Sequence, residues 1–156
     1  FYELARTDTS SLVAPDLESS WASRMDLAGA SPQDLITGVY EVPTMKIDSY
    51  VKQSPNLTGR RIHFLKIDTQ GHEDSVLEGA KSLLSDPPHR PLLVEAELIL
   101  GAVYETHLDF SDLERHLVPR GYRMVALSNG GNLLDSPWLQ VSVLYASPEI
   151  QQLIPR

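Results

Sequence analysis

From residue 61 onward the chain alternates apolar runs with amphipathic stretches, whereas the segment "TDTSSLVAPDLESSWASRMDLAGASPQD" sustains no period of 2 or 3.6 and reads as loops and short strands. Within the lead-in, residues 38–42 alternate Val39 and Glu41 against Tyr40 and Val42, which predicts a strand. "MKIDSYV" (45–51) predicts a short helical or extended element, and 55–60 a turn. "IHFLKID" then predicts a strand bounded by the turn "TQG". From Glu73, the positions Val76, Leu77, Ala80, Leu83 and Leu84 form one apolar stripe of a helix, which "SDPPHRP" stops. "LLVEAELIL" predicts a buried parallel strand. A second helix fits 110–118, with Phe110, Leu113 and Leu117 on one face, Asp109 as N-cap and Gly121 just past its end. "YRMVAL" is the next strand, "NGGNLLDSPW" a turn-rich loop, and "LQVSVLYAS" the last strand. Strands alternating with helices imply an α/β fold of parallel βαβ units. The final two strands have no helix between them, so they pair antiparallel.

Composition narrows the class. A chain of 156 residues, 42% hydrophobic and 22% charged, fits one globular domain spanning 1–156, with an irregular lead-in over 1–60 and an α/β core over 61–156. A net charge of -8 argues against nucleic acid or an anionic membrane as partner. With no cysteine, disulfides and thiolate metal sites are excluded, and no apolar run approaches the ~20 residues of a membrane span. The expectation is a soluble protein of the cytoplasm or an organelle interior. The first residue is Phe1, with no signal-peptide pattern, so the chain is expected to be processed or a piece of a longer one.

In open α/β sheets, ligands bind beyond the carboxyl ends of the strands. Asp68 stands at that end of its strand, Gly71 allows a tight turn, and His72 and Glu73 open the next helix. Glu95 and Glu97 occupy the corresponding end of the next strand, so Asp68, His72, Glu73, Glu95 and Glu97 are expected to share one crevice, with Lys66 beside them. Plainer roles exist for each. On these, Asp68 is a strand-end cap, Glu73 a partner of the helix dipole, His72 a surface histidine, and Lys66 a snorkelling or ion-paired side chain. Alternation puts Glu95 and Glu97 on one face, and at least one of them is expected to be structural. Carboxylates with one histidine suit hard divalent ions, but no compact ligand spacing occurs, and no metal is expected. The nucleophile elbow G-x-S-x-G, the G-x-G-x-x-G fingerprint and Walker-type loops are all absent.

At "LKIDTQGHEDSVLEGAKSLL" the sequence resembles the FkbM family of S-adenosylmethionine-dependent methyltransferases: a strand ending Lys66-Ile67-Asp68, then Gly71, Glu73 and a helix containing Val76-Leu77-Glu78-Gly79-Ala80. "TSSL" (9–12) is similar to the family's Ser-Ser-Leu segment, and "VPTMKIDSYV" to the element ahead of the hallmark strand. The resemblance spans nearly the whole chain. It implies a Rossmann-like class I methyltransferase sheet of which this chain carries strands four to seven, at 61–68, 91–97, 122–127 and 139–146, the last antiparallel. It implies S-adenosylmethionine as cofactor and methyl transfer to a hydroxyl of a sugar or other small molecule, with Asp68 as acid or base and His72, Glu73, Glu95, Glu97 and Lys66 around the substrate. The family's glycine-rich cofactor loop and ribose-binding acid have no counterpart here. The half-sheet that carries them is expected to be missing, leaving this chain inactive alone and its fourth strand as an open edge. The alternative is a non-catalytic, methyltransferase-like structural or binding subunit, with a protein partner covering that edge.

Overall fold

In the computed structural model, which describes residues 1–24, 31–57, 59–129 and 140–153, the lead-in forms a small unit of its own. It comprises strand β1 (Tyr2–Leu4), the short helix α1 (Ser20–Arg24) and strand β2 (Ile36–Val39), which pairs antiparallel with β1. The strand expected at 38–42 therefore lies earlier. Its ladder ends with Val39 opposite Tyr2 and the Tyr40 amide donating to the Phe1 carbonyl at 2.9 Å. Beyond that, Glu41 and Val42 run exposed toward Pro43, which has no N–H to offer a ladder. Of the two alternatives for 45–51, the helix forms, as α2 (Ile47–Gln53).

The hallmark strand is β3 (Phe64–Ile67), shorter than the predicted 61–68. The long helix expected from Glu73 divides into α3 (Glu73–Glu78) and α4 (Lys81–Leu84). Gly79, worth about 1 kcal/mol less than alanine in a helix interior, sits at the break. The physical cause is α2: the Asp48 amide takes the Gly79 carbonyl at 2.9 Å, and the Asp48 carboxylate accepts the amides of Ser82 and Leu83, each at 2.9 Å. A side chain from another element thus caps the second helix. The apolar stripe survives the break, with Leu77, Ala80, Leu83 and Leu84 all buried.

Next come β4 (Leu93–Ile99), α5 (Phe110–Leu117), β5 (Arg123–Asn129), β6 (Gln140–Ala146) and the single turn α6 (Pro148–Gln151). The sheet order is β3-β4-β6-β5; β3 and β4 are parallel, and β6 is antiparallel to both neighbours. The antiparallel final pair follows the reading of the sequence. The loop expected at 129–138 lies, from residue 130, outside the described residues.

Along β4, Val94, Ala96 and Leu98 point into a core with Val141, Val143 and Tyr145 of β6 and Leu77, Leu113 and Leu117 of the helices. Each such leucine contributes roughly 1.5–3 kcal/mol of burial. Glu95 and Glu97 lie on the opposite face. A second cluster, containing Leu4, Trp21, Leu35, Val103 and Tyr104, packs beyond the carboxyl end of β4, with Ile99 against it. β3 has no strand on its outer side among the described residues. No helix among them is long and apolar enough to cross a membrane.

α5 starts as expected: the Asp109 carboxylate accepts the Ser111 amide at 2.6 Å, and Asp112 reciprocates on the Asp109 amide at 2.9 Å. Asp109→Ala is expected to cost about 1 kcal/mol, seen as a melting temperature about 2–4 °C lower. An unchanged melting temperature would mean that solvent satisfies those amides equally well.

Candidate functional site

A cavity of about 430 Å³ opens at the carboxyl ends of β3 and β4. Its polar wall is made by Asp68, Gln70, Glu97 and the Arg6–Asp8 ion pair, and its apolar wall by Trp21, Ile99 and Val103. The sheet end supplies one side of the cavity with Asp68, Glu97, Ile99 and Gln140, and the lead-in supplies the other with Arg6, Asp8, Thr9 and Trp21.

The turn between β3 and α3 is built from within. Glu73 is 1% exposed, and its carboxylate accepts the Thr69 amide at 2.8 Å, the Thr69 hydroxyl at 3.0 Å and the Gly71 amide at 3.0 Å. Burial raises the Glu73 carboxyl above its ordinary value, outweighing these hydrogen bonds, which favour the charged form. Gly71 takes φ +96°, and a β-carbon there would come within 3.2 Å of the Tyr104 ring. The φ favours glycine, and a β-carbon would in addition crowd the Tyr104 ring.

Gln70, at φ +56°, is the one non-glycine residue with positive φ among the described residues. Its side-chain amide reaches across the rim. Nε2 donates to Asp68 Oδ1 at 3.0 Å and to Glu97 Oε1 at 3.1 Å, while Oε1 lies 2.9 Å from the Tyr104 hydroxyl. The Ser11 hydroxyl donates to the Gln70 carbonyl at 2.7 Å, and the Tyr104 hydroxyl also reaches the Thr9 carbonyl at 2.7 Å. Burial, reinforced by the Glu73 carboxylate, pushes the Tyr104 hydroxyl well above its ordinary value, so it stays a donor at neutral pH.

Of the residues singled out in the sequence, Asp68, Lys66 and Glu97 come together here. Lys66 Nζ donates to Asp68 Oδ2 at 3.1 Å, and this contact raises the ammonium pKa, with smaller help from Glu97 and Glu95. Glu95 stands one pleat back on β4, opposite Lys66 in the ladder. Glu73 lies behind the turn. His72 precedes α3 without capping it and lines a different cavity, of about 390 Å³, with Leu12, Met45 and Val76. Among the described residues, no group of three or more histidine, aspartate or glutamate side chains could hold a metal ion.

Sequence reasoning missed Gln70, Ser11, Thr9 and Tyr104. A glutamine before the turn glycine gave a faint signal for Gln70. Nothing local marks Tyr104, which reaches the turn from 34 residues away.

The family model for the methyltransferase FkbM domain matches residues 3–124 of the chain. No curated protein and no solved structure matches it. The matched span contains the turn, both carboxylates and the lead-in contacts that hold them.

Proposed function

The chain belongs to the FkbM methyltransferase family, and from that footing we propose that it carries the acceptor side of an S-adenosylmethionine-dependent O-methyltransferase acting on a hydroxyl of a sugar or another small molecule. The observation that carries this reading is the pair of carboxylates, Asp68 and Glu97, presented together at the carboxyl ends of two adjacent parallel strands.

The cavity's chemistry suits one end of the cofactor. The ammonium and sulfonium groups of S-adenosylmethionine are cations, and Asp68 and Glu97 supply acceptors on the wall, whereas Asp8 is already paired with Arg6. Glu97 is the residue that would hold that end, because its second oxygen has no hydrogen-bond partner among the described residues. No glycine-rich turn follows a strand among those residues, so the adenosine end finds no holder there. On this reading a longer or a second polypeptide supplies it, and the chain alone is inactive. Bound there, the cofactor supplies an electrophilic methyl group. The chain's own task is to place the acceptor hydroxyl and take its proton. Asp68, exposed at the rim, is the proton acceptor; Lys66 holds its other oxygen. Glu95 is assigned to a hydroxyl further along the acceptor, Glu73 acts by fixing the turn, and His72, in the other cavity, has no part in this site.

The test is to incubate the native polypeptide with S-adenosylmethionine and a panel of sugars and polyols, and to locate any methyl group by mass spectrometry. A methyl ether on oxygen supports the reading. Transfer to nitrogen or carbon alone, or no transfer while the cofactor binds, rejects it.

A second reading draws on the open edge of β3: a non-catalytic subunit whose partner protein covers that edge. Recovery of the native protein in a stable complex without turnover would favour it.

A further inference from the structure

We propose that Gln70 is a positioning residue that sets the spacing of Asp68 and Glu97, the two carboxylates fixing the direction in which its amide points; this rests on reading the rim as the acceptor site. A carboxylate only accepts hydrogen bonds, so the amide can face Asp68 and Glu97 only with its NH₂ group. Its two N–H donors then go one to each carboxylate, and two like charges that would otherwise repel are held by a single group. The amide oxygen, turned the other way, faces the buried Tyr104 hydroxyl at 2.9 Å, whose single hydrogen is shared between this oxygen and the Thr9 carbonyl at 2.7 Å.

The backbone points the same way. Left-handed φ is unfavourable for a residue with a β-carbon, and it persists where the surroundings over-determine it. Here the Gln70 carbonyl is held by Ser11, and the turn on either side is held by Glu73. Glycine would meet the conformation without strain, but it could not bridge the carboxylates. The position thus keeps a side chain that its backbone disfavours.

The bridge is tested first by spectroscopy, independently of turnover. In the ¹H–¹⁵N spectrum of the full chain, the Gln70 side-chain amide, assigned by its loss in Gln70→Gly, is expected to show two shifted resonances with slowed solvent exchange. Glu97→Gln and Tyr104→Phe are each expected to move that pair. A Gln70 amide that exchanges like the exposed glutamines, or ignores both substitutions, overturns the proposal even if methyl transfer is confirmed. The second arm compares rates in the native polypeptide. Gln70→Gly is expected to keep the melting temperature within about 4 °C, because lost strain offsets lost bonds, while kcat falls about tenfold or more and acceptor KM changes far less. Parallel losses of stability and kcat, or an unchanged kcat, overturn it. Should the wild type transfer no methyl group, the reading of the rim fails, and the amide resonances still decide whether Gln70 is the bridge.

Discussion

Asparagine in place of Asp68 is expected to lower kcat for methyl transfer by about two orders of magnitude, the middle of the range that a positioned proton acceptor contributes. The same change leaves the fold almost untouched. Asp68 is exposed, and its partners are the exposed Lys66 ammonium and the Gln70 amide. Losing an exposed ion pair costs between zero and about 1 kcal/mol. An asparagine oxygen still accepts from Gln70, so the turn keeps its bridge. The measurement is a steady-state comparison in the native polypeptide alongside a thermal melt. A variant that keeps more than half its kcat removes Asp68 from the chemistry.

The largest expected loss of stability comes from Glu73. Truncation to alanine strips the acceptor from the amides of Thr69 and Gly71 and from the Thr69 hydroxyl, beneath a turn where replacement by water is restricted. Each buried group left unpaired costs about 1–3 kcal/mol. The two amides and the hydroxyl are only partly buried, so the low end of that range applies; the sum, about 3 kcal/mol, corresponds to a melting temperature about 10 °C lower. Glu73→Gln keeps the volume and one acceptor, and is expected to lose less. It also exposes a dependence on pH. Burial raises the Glu73 carboxyl above its ordinary 4.5, so the folded chain holds that proton to higher pH than the unfolded chain does. The stability that Glu73 contributes is therefore full below about 4.5 and declines as pH rises through the folded value. Glutamine does not titrate, so the advantage of wild type over Glu73→Gln should be largest at low pH and shrink above it. Urea midpoints of both proteins measured across that window decide the sign; an advantage that grows with pH contradicts the burial argument.

Much of the sheet was legible because its cause is local. On β4 the alternation of Val94, Ala96 and Leu98 with Glu95 and Glu97 separates a core face from an open face, and the structure divides them in that way. The cap at Asp109 and the antiparallel final strands were legible for the same reason: a few neighbouring residues decide them. The division of the helix after Glu78 was not, because its cause, Asp48, belongs to another element 34 residues before Ser82. The strand expected at 38–42 was displaced by the register that β1 imposes. In the site, Lys66, Asp68 and Glu97 stood out as polar residues in apolar runs. Gln70 did not, since a glutamine in a turn looks like solvent-facing punctuation until Ser11 and Tyr104 are brought to it.

Those contacts from afar bear on how the protein comes into being. The hydrogen bonds of the rim join residues 34, 59 and 95 positions apart. Closing such loops costs entropy before it returns any contact; the helices have no such delay, and the two longest rim links span more chain than any pair of the β4–β6 ladder, whose longest joins Leu93 to Ala146. It follows that the rim is completed late, after the sheet has condensed. A nascent chain passes through a stage with a packed core and no pocket. On warming, the order reverses, and the capacity to bind departs while most of the fold is still standing.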